Sequence, residues 1–253
     1  MLVAERQNKI ISTVNERETI RVSELSKLFG VTEETIRRDL EKLENRGKLM
    51  RTHGGAISIK EEEEDLPHFQ REVMNKKEKM SVAKEASKYI EEHDIIFLDA
   101  SSTALYLARL IPNIPLTVLT NSIQVCTELA KNTNIHVICT GGSLLPNSMS
   151  FVGPLTLQTL EPYHVNKLFF SCKGIDKDWG ISDSNELQAL VKQKVIQMAD
   201  QKFLLLDHSK LQKKSFAYID KTTSIDVLII NAEAPDELLE NFNDQDLTII
   251  KSI

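Results

Sequence analysis

No apolar run in the 253 residues approaches the ~20 needed to cross a bilayer, and Met1-Leu2-Val3-Ala4-Glu5-Arg6-Gln7 lacks the apolar stretch of a signal peptide. Membrane insertion and export are not expected, and the cytoplasm is the expected compartment. Cysteine is scarce. Cys126, Cys139 and Cys172 are odd in number and not closely spaced, which argues against a disulfide framework or a zinc knuckle. His53 and His208 stand alone without metal-ligand spacing, so neither a metal nor a cofactor is expected. With 9 glycines and 7 prolines the chain is neither fibrous nor disordered. What remains is a globular composition, 41% hydrophobic and 27% charged, long enough for one large core or a medium core beside a small one.

The net charge of −6 hides an asymmetry. Residues 1–60 carry 12 basic and 9 acidic side chains, or +3, which leaves −9 for the remainder. A small basic module on an acidic body is expected where one segment meets a polyanion. Between them, Glu61-Glu62-Glu63-Glu64-Asp65 and then Pro67 mark a boundary, because like charges repel and proline disfavours helix before it. The alternative is the acidic first turn of a long helix. The expected organisation is a DNA-binding domain over 1–60, a linker over 61–74 and an α/β domain over 75–253.

Ahead of that boundary, Ile10, Ile11 and Val14, then Val22, Leu25, Leu28 and Phe29, then Ile36, Leu40 and Leu43 each keep helical spacing. Gly30 suits the end of the second helix and Thr32 the cap of the third, which predicts a helix-turn-helix. Residues 48–52 and 56–59 flank His53-Gly54-Gly55 and predict a two-stranded wing whose glycines permit positive φ. With its apolar stripe inward, the third helix turns polar and basic groups outward, as a helix in the major groove does. Candidate DNA contacts are Thr32, Glu34, Thr35, Arg37, Arg38 and Lys42 on that helix, with Arg51 and His53 in the wing. The alternative is a solvated face whose arginines pair with Asp39 and Glu41.

The stretch Phe29-Gly30-Val31-Thr32-Glu33-Glu34-Thr35-Ile36-Arg37-Arg38-Asp39-Leu40, followed by Arg51-Thr52-His53-Gly54-Gly55-Ala56, resembles the signature of DeoR-family transcriptional regulators. That resemblance implies a winged helix-turn-helix that binds operator DNA, usually as a repressor of sugar or nucleoside catabolism genes.

Beyond the boundary, apolar runs at 95–98, 116–119, 135–138, 167–170, 203–206, 227–230 and 247–250 alternate with helical patterns at 105–110, 123–130 and 187–198. An α/β fold with a mainly parallel sheet follows. Such sheets bind ligands beyond the carboxyl ends of their strands. There stand Asp99, Ser101, Ser102 and Thr103; Asn121 and Ser122; Gly141 and Gly142; Lys173, Gly174 and Asp176; and Asp207 and Lys210. Hydroxyls and glycines at strand-to-helix turns suit a phosphate, and the lysines add charge. The same hydroxyls also serve as plain helix caps.

The resemblance extends through this half, to the family's effector domain and the fold of ribose-5-phosphate isomerase. It implies a phosphorylated sugar as effector, with Ser101, Ser102 and Thr103 on the phosphate and Asp99, Asn121, Asp176, Lys194 and Lys210 around the sugar. The family often has Gly where Ala100 stands, and a small residue or an acid where Cys172 and Lys173 stand. A sugar-phosphate isomerase with a DNA-binding appendage is the competing reading. Isomerases of this fold resemble Asp-Gly-Ala-Asp and Arg-Glu-Lys where this chain has Lys173-Gly174-Ile175-Asp176 and Lys192-Gln193-Lys194. One Asp and the Glu are missing, and glutamine takes no proton at neutral pH. Glu186 substitutes only in another helix register, so no catalytic residue is expected. Specific operator binding by so small a module calls for a homodimer or homotetramer.

Overall fold

The structure, a computed structural model, describes residues 3–17, 19–45, 48–52, 54–57, 66–242 and 246–252. It divides into two units, Met1–Glu64 with Val73–Asn75, and Asp65–Glu72 with Lys76–Ile253.

In the first unit the helical spacings become α1 (Val3–Arg17), α2 (Val22–Phe29) and α3 (Glu33–Asn45). Ile10, Val14, Leu25, Ile36, Leu40 and Leu43 close on one another with Ile20, Val22, Leu49 and Ala56. Gly30 ends α2 at φ 64°, and Thr32 Oγ1 accepts from the Thr35 amide at 3.3 Å to start α3. Leu28, expected inside, is 52% exposed because it lies about 100° around α2 from the Val22, Leu25 and Phe29 face. Asp39 departs the other way. Three residues after Ile36 and four before Leu43, it sits on the core face, where Arg6 Nε donates to it at 2.6 Å and Gln7 Nε2 at 3.0 Å.

The expected two-stranded wing is part of a three-stranded antiparallel sheet. β1 (Thr19–Arg21), β2 (Met50–Thr52) and β3 (Gly55–Ile57) lie in the order β1-β3-β2. Gly55 is needed for proximity and not for positive φ, since a Cβ there would run into the Ile20 carbonyl of the paired strand. His53, Ser58 and Ile59, and the acidic run 61–65, lie outside the described residues.

The second unit runs α4 (His68–Val73), α5 (Lys76–Ser87), β4 (Ile95–Leu98), α6 (Ser102–Leu110), β5 (Leu116–Thr120), α7 (Ile123–Leu129), β6 (Ile135–Cys139), β7 (Ser143–Leu145), β8 (Ser150–Val152), α8 (Pro154–Leu160), β9 (Val165–Phe170), β10 (Gly174–Asp176), β11 (Gly180–Asp183), α9 (Glu186–Gln197), β12 (Ala199–Leu206), β13 (Ala217–Asp220), β14 (Val227–Asn231), α10 (Asp236–Leu239) and β15 (Thr248–Ser252). The stretch 61–74 therefore contains α4.

All seven apolar runs are strands of one parallel sheet, in the order β15-β14-β12-β9-β4-β5-β6. Alternate residues face opposite sides. Ile96, Leu98, Phe169, Phe203, Leu205 and Ile229 pack with α5, α6 and α7. Phe97, Leu168, Phe170, Leu204, Leu206 and Leu228 pack with α9. From β4 the chain builds outward to β5 and β6, then returns to β9 and builds the other way, so the order reverses between β4 and β9. That reversal opens a crevice at the carboxyl ends of the two strands. The antiparallel sheet β10-β11-β13 and the hairpin β7-β8 come from segments too short to show a period.

Candidate functional site

On α3, the side chains of Arg37 and Arg38 are 46% and 73% exposed and pair one turn back with Glu33 at 3.4 Å and Glu34 at 3.2 Å. Exposed pairs of this kind contribute ~0–1 kcal/mol, so the guanidiniums change partner at little cost. Thr32 and Lys42 are exposed and Thr35 is half-buried on the same helix start and face. Arg51, on β2, is tied to Glu44 through its amide at 2.9 Å and its guanidinium at 3.8 Å. The remaining wing candidate, His53, lies outside the described residues.

In the second unit, Asp99 bridges the crevice. Its Oδ1 accepts from the Ser101 amide at 3.1 Å and hydroxyl at 2.5 Å, while its Oδ2 accepts from the Ser171 amide, just past β9, at 3.2 Å. Lys192 Nζ, from α9, lies 3.5 Å from the same Oδ2 and donates to Asp183 Oδ2 at 2.5 Å. Burial alone would lower the Lys192 pKa and raise that of Asp183. Their mutual attraction, with Asp99 acting on the lysine, outweighs burial and keeps both charged. Burial holds the neighbouring Cys172 thiol up at about 12.

Hydroxyls divide by role. Ser101 Oγ accepts from the Ala104 amide at 3.0 Å and Ser122 Oγ from the Val125 amide at 3.2 Å, so both cap helices. Ser102 and Thr103 are buried in the first turn of α6 without capping it. Beside them is a cluster of cations. Lys79, on α5, is pushed down to about 7, first by burial and then by Lys210, Arg71 and Lys173, against the pull of Asp207. Asp207 feels the same field. Burial would raise its carboxyl, but Lys210, Lys79 and the Ser209 hydrogen bonds hold it below the usual carboxylate range.

At the neighbouring strand ends, Asn121 Nδ2 donates to the Phe151 carbonyl at 3.0 Å. Among the described residues, nothing partners Asn121 Oδ1, Thr140 Oγ1, His68 Nε2 or Arg71 Nη2, all of them buried. Burial, then Arg71, pushes His68 down to about 4. Gly142, at φ 117°, lets this loop approach α8, since a Cβ would meet Thr156 Oγ1. Gly174 plays a similar part against the Lys213 carbonyl.

Three expected site residues are placed differently. Asp176 closes the β10-β11 turn, accepting from the Asp178 amide at 3.0 Å and the Trp179 amide at 2.8 Å, with Lys214 at 3.4 Å. Glu186 is exposed in the first turn of α9, and Lys194 is half-buried about 200° around that helix from Lys192. The sequence reading did not single out Lys79, Arg71, Asp183 and Lys192. Two of these left a signal: Lys79 shares a face with Val82, Ala83 and Ala86, and Lys192 with Ala189, Val195 and Ile196. A lysine on an apolar stripe is buried and needs a partner.

Two family models match the chain: a DeoR-like helix-turn-helix domain over residues 6–62 and a DeoR C terminal sensor domain over residues 74–232. The chain is 53% identical to the uncharacterized HTH-type transcriptional regulator YulB of Bacillus subtilis (strain 168) over 232 residues, 92% of this chain and 90% of that protein. It is 38% identical to the L-fucose operon activator of Haemophilus influenzae, covering 97% of this chain and 98% of that one. Among solved structures, ribose 5-phosphate isomerase A of Methanocaldococcus jannaschii aligns with a TM-score of 0.42 and 19% identity over 55% of this chain and 56% of that one.

Proposed function

Because the chain belongs to the DeoR family of transcriptional regulators, we propose that it represses a sugar-catabolism operon and is controlled by a phosphorylated sugar bound between the carboxyl ends of β4 and β9. It is a DNA-binding regulator and not an enzyme. The side-chain chemistry agrees with that: Gln193 cannot act as a base, and Asp99 and Asp183 are paired with Lys192.

One observation carries the effector proposal. Lys210, Arg71 and Lys173 crowd Lys79 with Asp207 as the carboxylate among them, and Lys79 shares the Arg71 carbonyl with the Ser102 hydroxyl at the start of a nine-residue helix. Partly desolvated positive charge in excess is costly until an anion offsets it, and the helix start favours the same charge. Ser102, Thr103, Lys79 and Lys210 hold the phosphate. Asp99, Asn121 and Thr140, with the loops at Ser122, Gly141, Gly142, Lys173 and Gly174, surround the sugar.

The winged domain spans 1–60 and the sensor 75–253, joined through 61–74, of which α4 packs on the sensor. Arg37 and Arg38 read the operator, with Thr32, Glu34, Thr35, Lys42, Arg51 and His53 around them. The protein acts in the cytoplasm as a homodimer or homotetramer. Exposed Leu187 and Leu190 on α9, with Phe216 and Tyr218 at the adjoining β13, supply an apolar patch for that assembly.

The test is a thermal-shift screen of sugar phosphates against their unphosphorylated sugars, with operator release as the second readout. It starts with phosphorylated derivatives of L-fucose, the sugar in the name of the Haemophilus influenzae relative. Stabilisation by a sugar phosphate and not by its sugar is expected. Equal stabilisation by both would overturn the anion site.

A further inference from the structure

The main-chain carbonyl of Arg71, in α4, meets the cation cluster directly. It accepts from Lys79 Nζ and, at 3.3 Å, from Ser102 Oγ. A carbonyl has two lone pairs, and here both are taken by groups assigned above to the phosphate. The helix is held from other sides as well. Arg71 Nε donates to the Leu66 carbonyl at 3.0 Å, Tyr106 Oη to the Glu72 carbonyl at 2.9 Å, and Arg109 Nη1 to Glu72 Oε1 at 2.8 Å. Arg71 Nη2, meanwhile, is buried with no acceptor among the described residues.

We infer that the Arg71 carbonyl stands in for one phosphate oxygen, so that anion binding is read out as release of α4 from Lys79 and Ser102. This rests on the anion-site reading above. A charged phosphate oxygen is roughly twice as strong an acceptor as a neutral carbonyl, and the Ser102 hydroxyl has one proton to give. The incoming anion therefore takes the one Ser102 hydrogen bond from the carbonyl and, by drawing Lys79 toward itself, loosens the second bond. It also supplies an acceptor for Arg71 Nη2, which re-anchors α4 by its side chain in place of its main chain. The ligand thus makes different contacts in the two states, as any ligand that shifts an equilibrium must. By chain connectivity α4 is the first helix after the stretch that leads from the winged unit.

Hydrogen exchange on the full chain tests this, with inorganic phosphate as the probe. Exchange is expected to slow over residues 99–105 and to quicken several-fold over 66–75. Slowing at 99–105 with no change at 66–75 would overturn the inference and leave the anion site standing. No protection at 99–105 at saturating phosphate would remove the anion site and the inference with it. Tyr106→Phe gives a second, independent readout, since its hydroxyl anchors α4 without belonging to the phosphate donors. Losing that anchor makes release of α4 easier, so phosphate binds about two- to tenfold tighter, the worth of one net hydrogen bond. A Tyr106→Phe protein that binds phosphate as wild type does, or more weakly, contradicts the competition.

Discussion

On the proposed reading, Arg37 and Arg38 each trade one carboxylate for DNA, and the sum of that exchange sets what their loss should do. Their present partners, Glu33 and Glu34, are exposed and weak. A bidentate contact to guanine carries ~1–3 kcal/mol of discrimination. Arg37→Ala or Arg38→Ala is therefore expected to lower operator affinity about 10- to 100-fold over random duplex, with sensor-domain phosphate binding unchanged. Fluorescence anisotropy on both duplexes checks it, and an equal loss on both would make the arginine a phosphate anchor. At Lys79 the expected signature is pH dependence. With a pKa of about 7, this side chain is only half charged near neutrality, among Asp207, Lys210, Arg71 and Lys173. An entering anion restores the charged form, so binding takes up a proton, and phosphate affinity falls by up to ~tenfold per pH unit above neutrality. Lys79→Met should bind weakly and without that slope in calorimetry. The same group acts on stability. Its folded pKa lies below its unfolded one, so the unfolded chain holds more protons between the two values, and the contribution of Lys79 to stability rises with pH across that window.

Elements differed in how plainly the sequence announced them. All seven sheet strands were legible, because strands buried on both faces read as continuous apolar runs. The helix-turn-helix was legible as well, from Gly30 and Thr32 between two apolar stripes. β1 was not, because Thr19-Ile20-Arg21 is too short to show a period and finds its place only by pairing with β3. α4 was hidden between an acidic run and α5, although its contacts with Ser102 and Tyr106 make it part of the sensor. In the site, the strand-end positions followed from topology alone, whereas the choice of Lys192 over Lys194 depended on which face of α9 turns inward. The β1-β3 pairing predicts that Gly55→Ala destabilises the winged unit, where a Gly-to-Ala change at an unhindered site would stabilise by ~0.4–1 kcal/mol, because Ile20 must move. Asp39→Ala should cost ~3–5 kcal/mol by stranding the buried Arg6. Urea titration followed by circular dichroism measures both, and a midpoint unchanged in Asp39→Ala would mean that the pair is not closed in solution.

For the whole molecule, the assembly is the first thing to measure. Sedimentation of the full chain is expected to give a dimer or tetramer, and Leu190→Glu with Phe216→Glu to shift it toward monomer. Operator affinity should fall with that shift while phosphate binding persists. A monomeric wild type at micromolar concentration would defeat the pairing of winged modules. The two-faced sheet has a consequence of a different kind. Its strands are locked by side chains packed above and below, Phe97, Leu168 and Leu204 on one side and Ile96, Phe169 and Phe203 on the other. The chemistry at the crevice belongs almost entirely to turns and helix faces that the strands merely hold up. Stability and taste are therefore encoded in different residues of the same gene. On the proposed reading, such a scaffold can drift from one sugar to another by changing Thr140 or Lys173 while its melting point barely moves, whereas Gly142 and the buried Cys172 beside them are fixed by packing, so one architecture can be recruited repeatedly to sense new nutrients.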